Sequence, residues 1–227
     1  MLSGRCGMLK IHGLYGAILR FRQITAAFLV IGLTLCAIAG AQAQNAPKIL
    51  ALGDSLTAGY NLPADAAFPK QLEAALRKDG IQANVINAGV SGDTTTGALG
   101  RVDWALADKP THAIVALGAN DMLRGLSPEA ARANMEKIIV KLQQAGVKVM
   151  LAGMLAAPNL GADYAARFNP IYPDLAKQYG LTLYPFFLDG VAGQPALNLS
   201  DGIHPTREGV AEMVKRMLPQ VKAWLAG

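Results

Sequence analysis

The sequence predicts an α/β fold, a three-layer α/β/α sandwich around about five parallel strands. Three observations point there. Five short, mainly apolar runs, near residues 48–52, 83–87, 112–117, 147–151 and 181–184, lead into or out of Gly, Asn or Pro. Runs that stay apolar instead of alternating suit strands covered on both faces. The stretches between them carry apolar residues at helical spacing, and strands alternating with helices imply right-handed crossovers and one parallel sheet.

The first run, Lys48–Leu52, drives into the turn Gly53-Asp54-Ser55. Phe68-Pro69 then opens a helix with Pro at its first position, with Leu72, Ala75 and Leu76 on one face and Gly80 at its end. Ala83–Asn87 is the second strand, followed by a turn-rich loop to Asp93, and Thr94 to Ala107 forms the next helix. His112–Leu117 is the third strand and ends in Gly118-Ala119-Asn120-Asp121. Ser127-Pro128-Glu129 supplies a cap, a Pro and an acid favoured by the helix dipole, so a helix runs from there to about Gln144. Val147–Leu151 is the fourth strand. A helix over 164–179 is expected to bend or break near Pro170 and Pro173. Leu181–Tyr184 is the fifth strand, and an irregular loop to Pro205 precedes a last amphipathic helix containing Val210, Met213, Val214, Met217 and Leu218.

Upstream of the first strand the chain has the pattern of an export signal. Arg5, Lys10, Arg20 and Arg22 form a basic region without acids, Ile24 to Ala39 is apolar or small, and Ala41-Gln42-Ala43 matches a cleavage site. Cleavage after Ala43 is expected, leaving residues 44–227 as one domain in the periplasm or secreted, with no membrane span. The rival expectation is an uncleaved anchor, because no charge occurs between Arg22 and Lys48. Leu33-Thr34-Leu35-Cys36 fits a lipoprotein box only loosely. The whole chain has 21 Lys and Arg against 16 Asp and Glu; without those four basic residues 17 face 16, so the basic character belongs to the signal and is no mark of nucleic-acid binding. Both cysteines, Cys6 and Cys36, lie in the same segment, so the mature chain is expected to hold no disulfide, thiolate nucleophile or Cys-ligated zinc.

In a parallel sheet, the loops that follow the strands gather at one edge, where such sheets place their ligands. Here those loops carry Ser55, Gly92, Asn120 and the pair Asp201 and His204. A serine hydroxyl needs a neighbouring base to attack an ester, and histidine is the usual one. His112 starts a strand at the opposite edge and reads as structural. His204 lies just before the last helix, three residues after Asp201, close enough for the carboxylate to orient the ring. Gly92 can offer an unobstructed N–H and Asn120 an amide to a developing oxyanion. Each residue also has a bland reading: Ser55 a helix cap, Gly92 a positive-φ turn, Asn120 a turn or cap residue. Their placement on loops of one edge is what raises them together.

Gly53-Asp54-Ser55-Leu56, Gly92, Gly118-Ala119-Asn120-Asp121 and Asp201-Gly202-Ile203-His204-Pro205 resemble, in order and spacing, the four blocks of the SGNH (GDSL) hydrolase family. The resemblance covers nearly all of residues 47–225. Ala157-Pro158-Asn159 with Tyr164, and Ile171-Tyr172-Pro173 with Leu175-Ala176-Lys177, are similar to its bacterial periplasmic thioesterase, lysophospholipase and arylesterase branch. It implies a flavodoxin-like fold, Ser55 as nucleophile, His204 as base and then acid, and Asp201 as its orienter. It also implies an oxyanion hole from the Ser55 and Gly92 N–H groups and the Asn120 side chain, with no metal or organic cofactor. Ala119 stands where that branch often has a second glycine.

The expected activity is therefore hydrolysis of aryl, acyl or thioesters, or of lysophospholipids, through an acyl-enzyme on Ser55. A carbohydrate O-acetylesterase is the alternative within the same chemistry, and a non-catalytic ligand-binding module the alternative outside it. The partner is a small-molecule ester or lipid, and a monomer is the default. A phosphate-binding role is set aside for want of a G-x-G-x-x-G or P-loop pattern, and Thr57 replaces the second glycine of a G-x-S-x-G elbow. Leu155, Pro158, Leu160, Phe186, Leu188 and Leu197 are candidate walls for an acyl or aryl group.

Overall fold

The computed structural model describes residues 46–227. The expected signal over 1–43, its cleavage point, Cys6 and Cys36 lie outside the described residues. Strands β1 (Lys48–Gly53), β2 (Asn84–Gly89), β3 (His112–Ala116), β4 (Lys148–Ala152) and β5 (Thr182–Tyr184) form a single sheet in the order 2-1-3-4-5. Every pairing is parallel. This is the flavodoxin-like order, and it follows from the chain leaving β1 toward one side and returning across it to β3. Between β1 and β3 the outgoing loops diverge, which leaves a crevice at the carboxyl edge. Gly53 pairs with both Gly89 and Ala116, so three strands end level and their loops start from one line.

The helices are α1 (Ser55–Ala58), α2 (Phe68–Lys78), α3 (Thr95–Ala105), α4 (Ala119–Leu123), α5 (Pro128–Gln144), α6 (Ala162–Phe168), α7 (Ile171–Tyr179) and α8 (Arg207–Ala226). Helices α2 and α8 pack together against one face; α3 and α5, with α7 beside α5, cover the other. The two-sided cover explains the uninterrupted apolar runs: Ile49, Leu50 and Leu52 are wholly buried, each contributing about 1.5–3 kcal/mol. Among the described residues no helix is long and apolar enough to cross a membrane.

Local chemistry sets the ends. Ser127 Oγ accepts from the Ala130 N–H at 3.2 Å, with Pro128 first in α5. Thr206 Oγ1 accepts from the Gly209 N–H at 3.1 Å and caps the start of α8. Two details depart from expectation. Phe68, not Pro69, opens α2. β2 begins at Asn84 and continues through Gly89, because its register with β1 runs to Gly53. The break expected near Pro170 is present: α6 ends at Phe168 and α7 begins at Ile171, with Asn169-Pro170 between them. Pro170 lacks the N–H that would continue α6, while Pro173 sits in the first turn of α7, where a missing N–H costs nothing.

Candidate active site

Ser55 is the first residue of α1, so its N–H has no acceptor within the helix. The preceding Asp54 holds this turn: its Oδ1 accepts from the Leu56 N–H at 3.0 Å. Gly59, at φ 83°, closes the helix after four residues. The last loop is built around its own carboxylate. Asp201 Oδ1 accepts from the backbone N–H groups of Ile203 and His204, both at 3.0 Å. Its Oδ2 lies 2.8 Å from His204 Nδ1. Those donors draw the Asp201 pKa down to about 2, the Ile203 N–H contributing most.

His204 Nε2 lies 2.9 Å from Ser55 Oγ. A carboxylate can only accept, so Nδ1 carries the proton toward Asp201 and Nε2 is left to accept from the serine hydroxyl. The chain of bonds from carboxylate through imidazole to hydroxyl therefore has one consistent direction. Tyr60 lies against the imidazole, ring centres 4.4 Å apart and planes tilted by 34°.

The other two loops leave the same edge of the sheet. Gly92 adopts φ +80°, open to glycine at little cost, and its N–H makes no hydrogen bond to another described backbone group. Asn120, in the first turn of α4, donates from Nδ2 to Asp54 Oδ2 at 3.3 Å. Burial pushes the Asp54 pKa up to about 6, against the lowering effect of the Leu56 N–H. Gly118 precedes it at φ +104°, where a Cβ would collide with the Tyr172 hydroxyl; that hydroxyl instead donates to Leu117 O at 2.8 Å.

Several residues that fix these loops escaped the sequence reading. Asp121 accepts from Thr95 N–H at 2.8 Å and from Thr95 Oγ1 at 2.6 Å, tying the loop after β3 to the start of α3. Arg101 pairs with Asp93 at 2.7 Å and donates to Ala88 O and Gly53 O at 2.8 and 2.9 Å. One guanidinium thus joins the ends of β1 and β2 to the Gly92 loop. Arg124 donates to Gly92 O at 2.7 Å. Tyr60, Arg101 and Arg124 carry no spacing that announces these contacts; Asp121, as the last residue of the third block, was in view without a role.

Beside Ser55 and His204 opens a pocket of about 500 Å³, walled by apolar side chains including Leu56, Met154, Leu155, Phe186 and Leu188. Of the six apolar loop residues expected there, Leu155, Pro158, Phe186 and Leu188 line it, whereas Leu160 and Leu197 do not. Both pack instead against the core, partly buried. Among the described residues no group of three or more His, Cys, Asp and Glu is arranged to hold a metal ion. His112 starts β3 at the far edge, its Nδ1 2.8 Å from Thr111 Oγ1.

The GDSL-like lipase/acylhydrolase family matches residues 51–211. An arylesterase of Vibrio mimicus is 37% identical over 193 residues, covering 83% of this chain and 96% of that protein. The esterase TesA of Pseudomonas aeruginosa is 35% identical over 185 residues, covering 81% of this chain and 92% of its own. Among solved structures, the SGNH-hydrolase family esterase AlinE4 is 49% identical, covers 79% of this chain and 96% of that one, and superposes with a TM-score of 0.68. A structure of TesA, 34% identical and covering 78% and 99%, gives 0.74. Sequence, fold and the serine-facing imidazole agree: the chain belongs to the GDSL-like lipase/acylhydrolase family and is a carboxylic ester hydrolase.

Proposed function

We propose that Ser55 is the nucleophile, His204 the general base and then acid, and Asp201 the group that holds the imidazole in its working tautomer. The observation that carries this reading is the continuous run of bonds, 2.8 Å from Asp201 to His204 and 2.9 Å from His204 to Ser55, ending at the apolar pocket. Ser55 Oγ attacks the carbonyl carbon while Nε2 takes its proton. The tetrahedral oxyanion is met by the N–H groups of Ser55 and Gly92 and by Asn120 Nδ2, whose second hydrogen stays free while the first is held by Asp54. The C–O bond breaks as the imidazolium returns the proton to the departing alcohol or phenol. Water, deprotonated by the same nitrogen, then releases the acid and restores the hydroxyl.

The pocket supports an apolar acyl or aryl group as the part recognised. Esters and thioesters of such acids, and lysophospholipids, fit this description better than acetylated sugars, because the walls offer few hydrogen-bonding groups. The relatives' names, arylesterase and thioesterase/lysophospholipase, lie in the same range. The basic and apolar pattern of residues 1–43 supports export with cleavage after Ala43, which leaves residues 44–227 as the working domain.

The test is hydrolysis of p-nitrophenyl esters from acetate to long-chain acyl groups, beside a fluorophosphonate label, by wild type and Ser55→Ala. Ser55→Ala is expected to lose turnover by about 10⁴-fold or more and to refuse the label, while keeping its melting temperature. Turnover retained by Ser55→Ala ends the assignment. Aminoterminal sequencing of the exported protein reads the cleavage site.

A further inference from the structure

Seven large apolar side chains are exposed among the described residues, and six of them, Tyr60, Val90, Leu123, Leu126, Leu155 and Ile203, stand on the connecting segments of the carboxyl edge, Leu123 at the end of the short helix α4. They come from the segments that follow β1, β2, β3 and β4 and from the last loop before α8. Only Trp104, on α3, lies elsewhere. Leu123, Leu155 and Ile203 also wall the pocket, so the exposed rim runs without a break into the site. Scattered surface apolar residues need no explanation, but a ring gathered around one mouth marks a docking face.

Charge narrows what that face meets. Residues 153–161 contain no charged side chain. In the loop after β3 the acid, Asp121, is buried, which leaves Arg124 exposed. Among the described residues Arg124 is the one arginine without a carboxylate partner. It spends one N–H on Gly92 O, and its remaining donors are free for an anion. An apolar ring with a single unpaired cation is complementary to a surface of aggregated anionic lipid, where apolar insertion and headgroup attraction add.

We propose that the mouth of the site docks on anionic lipid assemblies, with Val90, Leu123, Leu126 and Leu155 seated among acyl chains and Arg124 at the headgroups. An acyl chain then passes from the assembly into the pocket without crossing water. The inference rests on the reading of this pocket as the acyl site, and its test reads binding, so each can fail without the other.

The experiment is co-sedimentation of the full chain with vesicles of phosphatidylglycerol or of phosphatidylcholine, beside hydrolysis of dissolved p-nitrophenyl acetate. Wild type is expected to partition onto phosphatidylglycerol at least tenfold more strongly than onto phosphatidylcholine, and Arg124→Gln to erase most of that preference. Val90→Glu with Leu126→Glu, at exposed positions outside the pocket, is expected to cut partitioning at least tenfold and leave acetate hydrolysis within twofold. Trp104→Glu changes a remote exposed site and is expected to partition like wild type. Equal loss in Trp104→Glu, or none in the double variant, overturns the proposal. So does gel filtration showing a dimer that the double variant dissolves, since the ring would then be covered by a second copy.

Discussion

The two described histidines make nearly the same first contacts, yet they stand at opposite edges of one sheet. His204 Nδ1 is 2.8 Å from a carboxylate oxygen and His112 Nδ1 is 2.8 Å from a hydroxyl. Each meets an aromatic ring, Tyr60 at 4.4 Å for His204 and Trp224 at 4.9 Å for His112. The difference is at Nε2. In His204 it faces Ser55 Oγ; in His112 it is buried without a partner, and burial, helped by Lys148, lowers the pKa of that ring. Cavity size does not separate the edges either, for a pocket of about 590 Å³ near β4, β5 and the end of α8 exceeds the one beside Ser55. That cavity holds Lys148 and Gln143 but no residue paired as nucleophile and base. What sets the imidazole proposed as the base apart is the group on its far nitrogen and the charge behind the near one.

Removing each ring breaks the comparison most sharply. His204→Ala is expected to lower kcat for a p-nitrophenyl ester by about 10⁴-fold or more, while His112→Ala leaves it unchanged; equal losses would erase the distinction. The near-side partners come next. Asp201→Asn puts an amide where only an acceptor serves and is expected to cost about 10²- to 10⁴-fold in kcat. Thr111→Val, its counterpart, is expected to keep full activity and lose about 1 kcal/mol of stability, because Thr111 Oγ1 also accepts from the Lys48 N–H at 3.0 Å. Steady-state kinetics and thermal melts of both variants decide this.

Asp54 gives the smallest and most pH-specific effect. Its pKa rises from 3.8 to about 6 in the folded protein, so the folded state holds its proton where the unfolded chain has released it. This group therefore contributes most below about pH 4 and its contribution falls as pH climbs to about 6, by about 3 kcal/mol in the limit of complete burial. Asp54→Asn is expected to flatten the stability profile across that window. The same change sets a donor against Asn120 Nδ2 and is expected to lower kcat about tenfold. Denaturant melts from pH 4 to 7 that keep the wild-type slope would refute the buried-acid account.

The sheet was legible because its strands are buried on both faces and therefore mainly apolar, and all five sit within a residue or two of where the apolar runs lie. Ser55, Gly92, Asn120, Asp201 and His204 could be gathered because parallel topology alone brings the loops to one edge. The fasteners between those loops were not legible. Arg101 reaches Gly53 O and Asp93, and Asp121 reaches Thr95, through contacts that depend on crossing angles and loop shape. Pocket walls were half legible for the same reason: Phe186 and Leu188 face the site while Leu197, on the same loop, packs elsewhere. Apolar character says that a side chain leaves water, not which cavity it enters.

Helix α8 starts beside His204 and returns the chain across the sheet, so that Trp224 meets His112 while Lys48 binds Thr111. Both ends of the folded body thus emerge on the side away from the mouth. An affinity tag or a linker to a solid support joined at Gly227 would hold the enzyme with its entrance facing outward.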